Sequence, residues 1–391
     1  MTFAIAIFVC SLAGILYVLL GYPLLVAIWA RLFPRPVSKQ FVPKTVSVVI
    51  PVRNGARWIE RKIESLLGSD YPSHLIEIVF VSDGSTDATE AILAAYGDPR
   101  VRLLRVPAGG KATAVSRGIE AASGEIIAFT DARQEIDPSA LRHMIACFAD
   151  PSVGVVTGEL YIRQGHNSEE FNTGLYWRYE KAIRKNLSQI NALLGASGSI
   201  YAMRRELTGP IPRDILLDDV YLPLKAAFNG YRIYFEEQAK AYDYPTALRS
   251  EFWRKLRTQA GVYQTIMHFP GLLWPGNRKF VHFLSHKIGR LLLPFAMIAI
   301  AVSSFWLPHP WREIALFLQL CFYGLALIDP LMPERILVKR ASSLIRTFVV
   351  LVAAALSGIA VFFVPAQRLW RETKVTATPQ PAETVNSSVP H

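Results

Sequence analysis

The stretch from Phe3 to Trp29 carries no charged residue and is interrupted mainly by Gly14, Gly21 and Pro23. A helix needs about 20 apolar residues to cross a bilayer, so this run is read as a membrane span. A secretory signal is the competing reading. The run is too long for the usual apolar core of a signal, lacks a basic start and has no clear small-residue cleavage site. Arg31, Arg35, Lys39 and Lys44 follow it, and the positive-inside rule then puts the next domain in the cytoplasm and the N-terminus outside.

Three more apolar segments lie towards the other end. Leu291 to Leu307 and Phe348 to Val364 read as spans, while Ile314 to Met332 is weaker because it holds Gln319 and Asp329. Four spans return the C-terminus to the outside. They place the basic loop Glu334 to Arg346 in the cytoplasm, but leave Arg368, Arg371 and Lys374 on the wrong side. A missed or re-entrant segment is the alternative. The tail from Thr376 is rich in Pro, Thr and Ser and is predicted to be disordered.

Between these ends, residues 45 to about 245 alternate strand and helix patterns. Val46 to Pro51, Ile76 to Val81, Val101 to Val106 and Glu125 to Thr130 read as strands. Arg57 to Leu67, Asp87 to Tyr96 and Lys111 to Ala122 read as helices. The expected fold is α/β with a mainly parallel sheet and ligands beyond the carboxyl ends of its strands. Ser250 to Pro270 mixes Phe252, Trp253, Leu256, Tyr263 and Ile266 with Arg254, Lys255 and Arg257. It suits a helix in the membrane interface or one packed on the domain. Cys10, Cys147 and Cys321 have no metal-like spacing, which argues against a zinc site or a disulfide framework. The net charge of +11 suits a membrane surface or a phosphate-bearing ligand. Nucleic acid is disfavoured, because the basic residues gather near the apolar segments rather than along one stripe.

Four polar clusters interrupt the middle region. Val81-Ser-Asp-Gly-Ser-Thr-Asp closes the second strand, where Asp83 and Asp87 could bind a base or ribose or simply form a turn and a cap. Gly109-Gly-Lys111 opens a helix, and a lysine there would meet a phosphate. It is not a P-loop, and no G-x-G-x-x-G follows the first strand. Thr130-Asp-Ala-Arg-Gln places Asp131 at the lip of the fourth strand. Asp218 and Asp219 are adjacent acids in an apolar stretch, where repulsion should raise at least one pKa and make a general base available. Tyr176 to Glu180 could stack on a sugar or belong to a core helix.

Taken in order, these motifs resemble the family 2 inverting glycosyltransferases, with the fold called GT-A. They are most similar to the membrane branch of hyaluronan, chitin-oligosaccharide and cellulose synthases. The resemblance runs from about Val46 to Gly261 and extends to the flanking spans. It implies donor contacts from Pro51, Arg53 and Asn54, although Gly55 stands where the family often has an acid. It implies Asp83 and Asp87 at the nucleoside, and Lys111 at the donor phosphates. Asp131 matches the first acid of a metal motif whose second acid is here Arg133. A divalent cation, Mg or Mn, is therefore expected on one protein carboxylate plus diphosphate oxygens. Gly195, Ser197 and Gly198 resemble the acceptor loop. Asp218-Asp219 resembles the Thr-Glu-Asp motif, with Asp219 as catalytic base. Arg254 and Arg257 stand in the Gln-x-x-Arg-Trp position, where the loss of Gln and Trp puts processivity in question.

The expected organisation is a span in residues 1–33, a cytoplasmic GT-A domain in 45–248, an interfacial helical region in 249–287, spans in 288–366 and a disordered tail in 367–391. The expected activity is transfer from a nucleotide-diphosphate donor, a UDP-hexose or UDP-N-acetylhexosamine, to a glycan or lipid-linked acceptor. The product would be a β-linkage in exopolysaccharide, envelope glycan or glycolipid. The partners implied are the donor, the acceptor and membrane lipids, with the protein in the inner (plasma) membrane. A non-catalytic scaffold subunit of an export complex is the alternative.

Overall fold

The computed structural model describes residues 2–162, 168–244, 246, 248–333, 336–365 and 369, with the backbone alone for 168–177 and 337. The expected sheet forms. Strands β1 (Val46–Val52), β2 (Ile76–Asp83), β3 (Val101–Val106), β4 (Ile126–Phe129), β5 (Glu135–Ile136), β6 (Val153–Ile162), β7 (Tyr201–Arg204) and β8 (Arg232–Asp243) align in the order β3-β2-β1-β4-β7-β6-β8-β5. From β3 to β4 all pairings are parallel. Beyond β4 the sheet is mixed, because β7 runs antiparallel to both β4 and β6 while β6 and β8 are parallel.

The sheet is buried on both faces, which is why its first strands read as unbroken apolar runs. Val48, Ile50 and Phe80 pack against Ile59, Ile63 and Leu66 of the Ala56–Leu67 helix. These helix residues recur at the three- and four-residue spacing of one buried face. Val49, Val79 and Val81 face the other way, towards Ala114 and Val115 of the Lys111–Ala121 helix. That helix lies so close that a Cβ at Gly118 would sit 2.3 Å from Val49 Cγ1. Glycine there sets the layer spacing.

Among the described residues, four helices are long and apolar enough to cross a membrane: Thr2–Leu32, Phe280–Trp306, Trp311–Leu331 and Val338–Phe362. Two of them begin about ten residues earlier than the sequence predicts, at Phe280 and Val338. The Phe280–Trp306 helix runs straight through His282, His286, Lys287 and Arg290, the residues that made the apolar run seem to start at Leu291. The weakly apolar Trp311–Leu331 segment is explained by internal partners. Gln319 Nε2 donates to Ser304 Oγ at 2.8 Å. Asp329 is fully buried with Lys339, Ser342 and Arg346 around its carboxylate. Polar groups at membrane depth persist where the bundle satisfies them.

The membrane part and the sheet are joined by packing. Tyr22, Val26 and Ala30, at the inner end of the first span, enter the same apolar cluster as Val49 and Val81. The Leu248–His268 helix bridges the two parts, with Leu256 and Ala260 packed on Leu216 and on Ala354 of the last span. Apart from Leu369, which packs with Leu256 and Ala354, the expected tail falls outside the described residues.

Candidate functional site

The carboxyl ends of β2 and β4, the loop before β7 and the start of the Asp218–Phe228 helix converge on one polar site. Its centre is the Lys111 ammonium, 2.9 Å from Asp131 Oδ1 and 3.3 Å from Asp218 Oδ1. Burial works against that charge, but Asp131 and then Asp218 and Asp219 outweigh it and hold Lys111 well above the usual lysine range. Asp131 is held low in turn: burial would raise it, and the Lys111 ion pair overcomes that.

Asp219 behaves oppositely. Burial, followed by the neighbouring Asp218 charge, pushes its carboxyl up to about 6. Its Oδ2 accepts a hydrogen bond from the Gly198 amide at 2.9 Å, and its carbonyl accepts one from Ala196 N at 2.7 Å. The expected loop Gly195 to Ser199 is thus wrapped around this acid. A Cβ at Gly198 would stand 3.2 Å from Asp219 Oδ2 and 3.6 Å from Lys111 Nζ, so a side chain there would enter the site itself. Ser197 N donates to Thr157 Oγ1 at 2.9 Å, which ties the loop to β6. Arg257 is near enough to Asp131 and Asp219 for their charges to act on it.

The other expected residues are placed nearby but are largely engaged within the protein. Asp83 is 5% exposed, and its carboxylate accepts from Gly109 N at 2.7 Å and Gly110 N at 3.1 Å. Gly110 has φ +86°, a conformation that favours glycine. Asp83 therefore clamps the turn that presents Lys111. Asp87 accepts from Thr89 N at 3.0 Å and Ala56 N at 3.1 Å, serving as a cap. Asn54 Oδ1 accepts from Thr86 N at 2.8 Å, so the first two strand ends are laced together. Pro51 lies within β1 and Arg53 is exposed beside it. Arg254 is ion-paired with Glu251.

Some contributors escaped the sequence reading. Lys62 is 1% exposed and donates to Thr130 Oγ1 at 2.7 Å and Gln134 O at 2.6 Å, directly behind Asp131. Burial lowers its pKa to about 7. Arg133, which stands where a second metal acid was expected, pairs with buried Asp243 at 2.6 Å. An Arg two residues after an Asp, with a distant Asp closing a long strand, was the available signal. Among the described residues, no group of three or more His, Cys, Asp or Glu could hold a metal ion. The side chains of Tyr176 and Trp177 lie outside the described residues.

A parallel half-sheet continued by mixed strands, with acids and a lysine at its carboxyl edge, is a GT-A-like fold. A solved structure titled mannosyltransferase PcManGT from Pyrobaculum calidifontis, in complex with GDP-Man and Mn2+, has the same fold. It superposes with a TM-score of 0.70 at 23% identity, over 91% of this chain and 99% of that one. Residues 47–209 match the family model described as Glycosyl transferase family 2, and the chain carries a domain of that family. The poly-beta-1,6-N-acetyl-D-glucosamine synthase of Staphylococcus epidermidis is 25% identical over 65% of this chain and 61% of its own length. The beta-monoglucosyldiacylglycerol synthase of Synechocystis is 22% identical over 73% of this chain and 64% of its own. The chain thus spans less than two thirds of these relatives.

Proposed function

We propose that the protein is a membrane-bound inverting glycosyltransferase that moves a sugar from a nucleoside-diphosphate donor, a UDP-hexose or UDP-N-acetylhexosamine, to a glycan or lipid-linked hydroxyl. The observation that carries this reading is Asp219. It is a carboxyl pushed up to about 6, beside a cation that matches donor phosphates and under a loop of small residues that leaves room for an acceptor. A base of that pKa takes a proton efficiently near neutral pH.

In the proposed reaction the acceptor hydroxyl gives its proton to Asp219, and its oxygen attacks the anomeric carbon. The bond to the diphosphate breaks on the opposite face, which inverts an α-linked donor to a β-linked product. Lys111 and Arg257 stabilise the charge that grows on the leaving diphosphate. Asp83 and Lys62 keep Lys111 and Asp131 in place from behind. Asp131 Oδ1 pairs with Lys111, and a divalent cation would be held jointly by this carboxylate and the donor. When bound, such an ion neutralises diphosphate charge. The catalytic domain is proposed to face the cytoplasm, in keeping with the basic residues after the first apolar run.

The test is a panel of labelled UDP- and GDP-sugars given to the full-length protein in membranes, with the label followed into lipid extract and polymer. The reading expects one donor to label one fraction. No transfer from any donor, with nucleoside diphosphate also failing to bind, would overturn it.

A further inference from the structure

Glycine is a poor helix former, so one inside a helix needs a local reason. Gly261 lies within the Leu248–His268 helix, four residues after Arg257 and three before Gln264. That spacing puts the three residues on one helical face. The face is turned to the segment that leads into the acid pair. A Cβ at Gly261 would stand 2.4 Å from both Cγ and Cδ1 of Leu217, the residue before Asp218. Leu217 docks there because the helix has no side chain at that point. Gln264 is 6% exposed and grips the same segment with its amide. Leu216 N donates to its Oε1 at 3.0 Å, and its Nε2 donates to Asp214 O at 2.7 Å. A donor on one side and an acceptor on the other fix which way the amide points.

This clamp reaches the proposed base directly. Leu217 O accepts from Val220 N at 3.2 Å and from Tyr221 N at 3.0 Å, which starts the Asp218–Phe228 helix. Fixing Leu217 therefore fixes where Asp218 and Asp219 leave the backbone. The clamping helix also carries Arg257, which is near enough to Asp131 and Asp219 for their charges to act on it. Behind it stands the last apolar helix. A Cβ at Gly358 would lie 3.0 Å from Gln259 Cβ and 3.1 Å from Ala260 N, so the two helices meet at close range. Ala354 packs there with Leu216, Leu256 and Ala260. The acid pair is thus tied through one buried amide and two glycine contacts to the apolar part of the chain.

We infer that Gly261 and Gln264 are positioning residues for the acid pair: they seat residues 214–217 on the helix that carries Arg257, so that the base and the cation at the leaving group keep one fixed separation. This rests on the transferase reading and adds how the bridging helix sets the geometry of its reacting centre. Both residues act through the backbone before Asp218 rather than on the reacting atoms. In the proposed reaction the acceptor oxygen lies between Asp219 and the anomeric carbon, with the diphosphate on the opposite face. A misplacement of about 1 Å in such an arrangement costs about 10²-fold in rate. A methyl group at Gly261 would push Leu217 off the helix by a distance of that order, and an apolar side chain at Gln264 would free the segment from its two hydrogen bonds.

The experiment compares the full-length protein in membranes with Gly261→Ala, Gln264→Met and the double variant Gly261→Ala/Leu217→Ala. Steady-state transfer from the donor that labels product, its pH profile and thermal unfolding are measured on each. Gly261→Ala and Gln264→Met should each lower kcat about 10²-fold, with a much smaller change in donor KM. The acid limb of the profile should move to higher pH, because a carboxyl drawn away from the Arg257 charge holds its proton more tightly. Truncating Leu217 makes room for the new methyl group, so the double variant should recover most of the loss caused by Gly261→Ala. The inference fails if either single variant turns over like the parent, if the loss follows a lowered melting temperature with the acid limb unmoved, or if the double variant recovers nothing. A parent that transfers no sugar would remove the transferase reading and this inference with it. A parent that transfers, with both single variants unimpaired, would remove this inference alone.

Discussion

The two sides of Asp219 are built from different charge pairs. On the sheet side charges are matched: Lys111 is shared by Asp131 and Asp218, Arg133 is spent on Asp243, and Asp83 on the Gly109-Gly110 amides. On the side towards the spans, Arg290 and His286 face Glu180, and Lys255 lies near both Glu180 and Glu251. A balanced site is preorganised and needs no ligand to hold its shape.

The strongest way to break this comparison is to remove Glu180. Glu180→Ala removes the carboxylate paired with Arg290, and stripping one partner from a buried pair costs about 3–5 kcal/mol. Thermal or denaturant unfolding in detergent should show that loss. A variant as stable as the parent would mean that the pair is solvated. Lys111→Met tests the matched side. Loss of a preorganised charge at the leaving group should lower kcat by about 10²–10³-fold, read by steady-state release of nucleoside diphosphate.

The pH profile sharpens the contrast at the shared residue. Asp219 acts as a base only when deprotonated, so transfer should fall about tenfold per pH unit below pH 6 and level off above it. The same raised pKa means that the folded protein holds this proton more tightly than the unfolded chain does. The contribution of Asp219 to stability therefore grows as pH falls from 7 towards 4. The smallest effect is expected at Asp87. Its hydrogen bonds to Thr89 and Ala56 are those of a cap, so Asp87→Ala should cost about 1 kcal/mol in unfolding experiments and leave kcat nearly unchanged.

The legibility of these two sides in the sequence differed for the same physical reason. The sheet-side residues each end a local pattern: Asp83 and Asp131 close apolar strands, and Lys111 opens a helix after two glycines. Short-range periodicity is enough to find them, and β1 to β4 appear where their apolar runs predict. The later strands were not read. β7 is only four residues long, and β8 carries Glu236, Glu237 and Lys240 among its apolar positions. The membrane-side cluster draws Glu180, Lys255 and the His286 to Arg290 segment from three distant stretches. Its charges make the apolar run appear to start at Leu291, although the helix begins at Phe280. Asp243 ends a long strand in the sequence, but only the tertiary fold brings it to Arg133.

The account turns on Asp219 as the base between these two sides, and the most direct measurement is transfer by Asp219→Asn beside donor binding by the same preparation. The account predicts that transfer falls by about 10²–10⁴-fold, that nucleoside-diphosphate affinity stays within a few-fold, and that the melting temperature at neutral pH does not drop, since a repulsive charge beside Asp218 has been removed. Turnover within tenfold of the parent, with donor bound normally, would contradict it.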